Sequence, residues 1–159
     1  MPRLGLALLI TAVAAALVGC NMDHKAYAAR DVALALEAAR KGDRTTFEAH
    51  IHRPALRDDL REQLAALGRA NSLDVGEASE FAIDRRINPQ ALRFVNLASG
   101  QPINQPITPA EVKGRIVIRG DKTLCLTDPS QKTCVLQFRY IARHWVLTSM
   151  PARQTTIAL

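Results

Sequence analysis

The sequence predicts an α+β fold in which N-terminal helices pack on a C-terminal antiparallel β-meander, after a cleaved signal peptide. Three observations predict it. Apolar residues recur at helical spacing from His24 onward, the period changes to two after Gly114, and a charge-free run from Leu4 to Val18 follows Pro2-Arg3.

The first segment has the layout of a secretory signal, with Gly19-Cys20 closing an apolar run of about fifteen residues. A single transmembrane anchor is the alternative, but the run falls short of the roughly 20 residues that span a bilayer. Leu17-Val18-Gly19-Cys20 resembles the lipobox of bacterial lipoproteins. That resemblance implies removal of residues 1–19, diacylglycerol on the Cys20 thiol, and a further acyl chain such as palmitate on the new N-terminus. Several chains hold a protein far more firmly than one. Asn21 stands where enterobacterial lipoproteins retained in the inner membrane carry aspartate. The resemblance therefore implies the outer membrane, with the domain facing the periplasm and the bilayer as its first partner.

Residues 20–25 then form the lipidated N-terminus and a very short tether, 26–150 a single domain, and 151–159 a frayed tail. Helical spacing runs from His24 to Lys41, with Ala28, Val32, Ala35, Leu36 and Ala39 on one face. Gly42 is a stop, and Asp43 caps a short turn that buries Phe47. Pro54 opens a helix with Leu56, Leu60, Leu64 and Leu67 in a stripe. Residues 74–86 are a weaker helix contributing Ala78, Phe81 and Ala82. Asn88-Pro89 starts another, carrying Leu92 and Val95 to a stop at Gly100. Thr108-Pro109-Ala110-Glu111 has capping-box spacing. Three strands follow, Arg115–Leu126, Lys132–Ala142 and Trp145–Met150, with Phe138, Tyr140, Trp145 and Leu147 supplying apolar mass.

The Gly42-Asp43 helix end, the Pro54-Ala55-Leu56-Arg57 start, Asn88-Pro89 and the closing Leu136-Gln137-Phe138 … His144-Trp145-Val146-Leu147 hairpin together resemble a small proteobacterial family of unknown function. The hairpin is also similar to the end of nuclear-transport-factor-2-like and cystatin-like rolls. Those folds host enzymes and binding modules alike, so the resemblance implies a fold and no activity.

Removal of residues 1–19 leaves 159 − 19 = 140 residues and, with Arg3, takes the net charge from +6 to +5. That excess suits anionic headgroups, or simply solubility. With scattered cations and only 4% aromatic residues, nucleic acid is not an expected partner.

With Cys20 acylated, Cys125 and Cys134 remain as an even pair in an oxidising compartment. A turn at Asp128-Pro129-Ser130-Gln131 sets Cys125 opposite Cys134, with Cα atoms about 4.5 Å apart, within disulfide range. Two reduced thiols or a redox pair are the alternatives; the spacing is not that of a C-x-x-C redox motif.

Sites of chemistry are sparse. His50 and His52 form His-x-His, and in an extended segment both rings point to one side and could share a metal, with Glu48 as third ligand. Exposed polar residues at a helix junction are the plainer reading. Asp58-Asp59 diverge by about 100° on a helix, and Glu77/Glu80 suit a solvated face. Arg57 could anchor an ion pair with Asp43 or Asp58; His144 lacks an obvious partner. Neither a nucleophile elbow nor a phosphate loop is present, so no enzyme activity and no cofactor are expected. The sequence favours an envelope lipoprotein acting as a binding or assembly-support domain for an envelope protein. Its alternatives are a protective inhibitor or immunity-type lipoprotein against a wall- or membrane-active enzyme, and a small-ligand or hydrolytic roll.

Overall fold

Among the described residues four α-helix starts are set by a side chain that accepts a backbone N–H, and the helices occupy mainly the first half. The computed structural model describes residues 24–71, 79–120, 122–129 and 132–159. Cys20, the signal segment, Glu77 and the Ser130-Gln131 part of the turn lie outside them. Helix α1 is described over residues 24–41. The N–H of Gly42 bonds Ala39 O and that of Asp43 bonds Ala38 O, the paired bonds of a Schellman end. Gly42 adopts φ +69°, which a residue with a Cβ takes only under strain.

Asp43 then caps α2 (Arg44–Ala49), taking the Thr46 N–H at 3.1 Å and its hydroxyl at 2.6 Å. His52 caps α3 (Arg53–Ala70), with Pro54 in the first turn. Ser79 caps α4 (Glu80–Arg86), and Thr108 with Glu111 forms the expected capping box on α5 (Pro109–Lys113).

The main sheet is an antiparallel meander of β2 (Ile116–Ile118), β3 (Thr123–Thr127), β4 (Cys134–Ile141) and β5 (His144–Ser149), in that order. Leu124, Leu126, Leu136, Phe138, Trp145 and Leu147 share one core with the alanine face of α1 and with Leu56 and Leu60 of α3. The outer edge of β5 is covered locally. His52 N–H bonds Leu147 O and Leu147 N–H bonds His50 O, so the α2–α3 junction caps part of the exposed ladder.

Several expectations are corrected. The helix from Asn88 to Gly100 is instead a single 3₁₀ turn, Pro89–Ala91, followed by strand β1 (Leu92–Val95). Buried Leu92 and Phe94 alternate with exposed Arg93, a strand period too short to outweigh the cap-plus-proline signal in sequence. The tail is not frayed: β6 (Thr155–Ala158) pairs in parallel with β1, and Ile157 is buried. Residues 115–126 form two strands, because the chain reverses through Gly120 at φ +74°. In α4 the inward residue is Ile83, while Phe81 is 72% exposed and Ala82 is exposed too.

Candidate functional site

The first turns of α1 meet the β4–β5 turn, and this end of the domain carries the most demanding chemistry among the described residues. Asp31 is buried on the alanine face of α1. Its Oδ2 accepts the backbone N–H of Trp145 at 2.8 Å, and His144 Nδ1 lies 3.8 Å away. A buried carboxylate is costly unless it is hydrogen-bonded, and here the hairpin backbone satisfies it.

One turn earlier, the Tyr27 hydroxyl donates to Arg143 O at 2.7 Å. Desolvation first, then the Asp31 charge and Tyr140, raise the Tyr27 pKa, so the phenol stays protonated as the donor this bond requires. These two bonds clamp a strained turn. Ala142 and Arg143 sit at φ +49° and +68°, the two-residue geometry that favours Asn-Gly. Between helix and strands, the Trp145 ring meets His24 edge-on at 5.7 Å and Tyr140 at 5.4 Å between centroids. Trp145 is fully buried, as its core assignment requires, and its indole Nε1 has no hydrogen-bond partner. Around this cluster His24, Arg30, Arg143 and His144 are exposed, with Tyr27 half-exposed. The result is a basic, aromatic end surface beside the first described residue of α1.

The sequence-derived candidates fall elsewhere. Cys125 and Cys134 are joined in a disulfide with Cα atoms 5.5 Å apart. They are not directly opposite, as the turn geometry had implied. Cys125 pairs with Gln137 and Cys134 with Thr127, because the ladder shifts register between Leu126 and Thr127. The bridge therefore crosses the ladder diagonally at a bulge.

His50 and His52 are used by the backbone in opposite senses. His50 Nδ1 lies 2.8 Å from Thr46 O, to which it donates, whereas His52 Nδ1 accepts the Ala55 N–H at 3.3 Å. Using Nδ1 of His52 as a ligand would uncap α3. Glu48 is held by Arg53 instead of standing free as a third ligand. Among the described residues no group of three or more metal-ligating side chains converges.

Arg57 anchors an ion pair, but with neither expected partner. Its Nε and Nη2 reach the two oxygens of Asp84 at 2.8 and 2.6 Å, and Arg53 adds a third bond at 3.0 Å. The two guanidinium groups, Arg57 foremost, lower the Asp84 pKa. This network staples α3 to α4. Asp58 pairs with Arg61, which also reaches Glu80, while Asp59 accepts from Gln63 and Met150 N–H.

Asp31 is the site residue that sequence reading missed. Its signal was a lone carboxylate inside an otherwise apolar helical face, interpretable only once the β4–β5 turn is seen beneath it. No protein-family model, curated protein or solved structure matches the chain. Among the described residues no helix is long and apolar enough to cross a membrane.

Proposed function

We propose that the protein is a lipid-anchored domain of the bacterial cell envelope, acylated on Cys20, that serves as a binding or assembly-support domain at the periplasmic face of the outer membrane. One observation carries this reading. The lipobox cysteine precedes His24, the first described residue of α1, by four residues, a span of at most about 14 Å. Acylation would hold the His24–Tyr27 end directly against the bilayer. The exposed Arg30 and Arg143 then face anionic headgroups, and Tyr27 brings an amphipathic ring to the interface. Confinement to the membrane plane raises the effective concentration for a neighbouring envelope protein.

Mass spectrometry of protein extracted from membranes tests the anchor. The expected species begins at an acylated Cys20; an unmodified Cys20 in that fraction overturns the reading. Crosslinking in intact envelopes, followed by solubilisation, tests the occupation. A stable envelope protein as partner supports assembly, whereas a secreted toxin as sole partner favours the inhibitor alternative.

A further inference from the structure

At the other end of α1 a groove of about 270 Å³ opens between the Arg85–Ala91 corner and the segment leading into β6. Three arginines, Arg85, Arg86 and Arg153, and three carboxamide residues, Asn88, Gln90 and Gln154, are among the residues that line it. None of its lining residues is acidic.

Some of these groups build the walls. Arg86 Nη1 donates to Ala152 O at 2.7 Å, and Gln154 Nε2 donates to Gln90 O at 3.2 Å. The Asn88 amide donates to Arg85 O. Others keep their donors unused. Arg85 lies over the exposed Phe81 ring at 5.8 Å, which gives that exposed aromatic a purpose as a platform. The guanidinium donors of Arg85 and Arg153 have no acceptor among the described residues. Asp84, the nearest carboxylate in sequence, is occupied by Arg53 and Arg57.

We propose that this groove binds a phosphoryl group. Three arginines on one groove wall without a carboxylate leave its positive charge uncompensated, and an anion with several acceptor oxygens would neutralise it. Guanidinium forks match phosphate oxygens in pairs, and carboxamide N–H groups complete the donor set. The volume takes a phosphoryl group together with part of the small molecule that carries it.

Position narrows the source. The Gln90 amide lies 3.5 Å from where a Cβ on Gly42 would stand, so the groove adjoins the C-terminal end of α1. The 18 described residues of α1 span about 27 Å, which separates the groove from His24. If Cys20 is acylated and α1 stands off the leaflet, the groove lies beyond the headgroups, and its ligand is a soluble phosphate or phosphomonoester. The binding chemistry itself does not depend on acylation.

The test uses the full mature chain in neutral detergent at low ionic strength, titrated with inorganic phosphate by calorimetry. Saturable one-to-one binding is expected. Replacing both unpaired arginines (R85Q with R153Q) is expected to weaken it at least about tenfold. The charge-matched pair R119Q with R139Q, both exposed and neither lining the groove, should change it less than about twofold. Non-saturating heats, or equal weakening in both pairs, overturn the proposal. Phosphatidylglycerol vesicles supply the second arm, offered to the C20S chain, which carries no acyl anchor of its own. Unchanged vesicle binding by R85Q/R153Q supports a soluble ligand, and its loss overturns that assignment in favour of headgroups.

Discussion

The Asp31 carboxylate accepts a 2.8 Å hydrogen bond from the backbone N–H of Trp145, 114 residues further along the chain. The bond ties the first helix to the last hairpin, and it is shielded from water. Asp31→Ala leaves that N–H unsatisfied and is expected to cost about 2–3 kcal/mol. Asp31→Asn keeps an acceptor and should cost clearly less. Urea unfolding at pH 7 measures both, and equal losses would show that the backbone bond is not what Asp31 contributes.

The turn under this bond stores strain that substitution should release. Ala142 and Arg143 both occupy the left-handed region. Ala142→Asn with Arg143→Gly installs the preferred pair for such a turn and is expected to stabilise the domain by about 1 kcal/mol. The same double variant removes a cation from the end surface. If that surface lies on anionic lipid, thermal stability rises while vesicle binding falls, a divergence read by parallel melting and sedimentation assays.

The helical half was legible because its signals are local. The Gly42 stop, the Asp43 cap, the Pro54 start and the Thr108–Glu111 box each sit within a few residues of the element they set. The parallel β1–β6 pair was not legible. Leu92–Val95 and Thr155–Ala158 are four residues each, and neither shows its role until the other lies beside it. Arg57 illustrates the same limit in the site. Its partner, Asp84, is 27 residues away on another helix, beyond any spacing rule. The cysteine pair was readable as a pair, yet the bulge that makes it diagonal was not.

Glu37 makes the domain sensitive to acid. Hydrogen bonds from Arg40 at 2.8 and 2.6 Å, the Ile107 N–H at 3.0 Å and Lys41 hold its pKa at about 2, against 4.5 ordinarily. The carboxylate form is favoured by folding, so its contribution is complete above about pH 4.5 and is lost as pH falls through about 2. Asp84 and Asp43 are lowered in the same direction. Glu37→Gln is expected to cost about 2 kcal/mol at pH 7 and to flatten the stability profile across that window. A profile as steep as that of the unmodified protein would assign the acid sensitivity to other carboxylates.

The Cys125–Cys134 bridge closes a short loop, with a sequence separation of 9. Loop-closure entropy gives such a bridge about 2–3 kcal/mol. Reduction should therefore lower the melting temperature without abolishing the fold, because the rest of the core does not depend on it. Replacing both cysteines by alanine, with melting followed in the presence and absence of reductant, provides the check. The double variant should match the reduced protein and lose its response to reductant. Freely alkylatable Cys125 and Cys134 in protein from an oxidising compartment would count against the bridge.

The final segment is expected to behave as part of the core. Ile157 is buried on β6, Leu159 N–H bonds Val95 O at 2.9 Å, and Arg115 bridges Thr127 O and Ala158 O. Thr156, one residue before Ile157, is exposed on the other face of the strand. Ile157→Ala should cost about 2–4 kcal/mol through the cavity it leaves, whereas Thr156→Ala should stay within about 0.5 kcal/mol. Arg115→Ala tests the tie itself. It removes the link between β6 and the end of β3, so amide exchange at Ile157 and Ala158 should accelerate well before exchange in β4 does. Uniform acceleration through all strands would mean that β6 unfolds only with the whole domain.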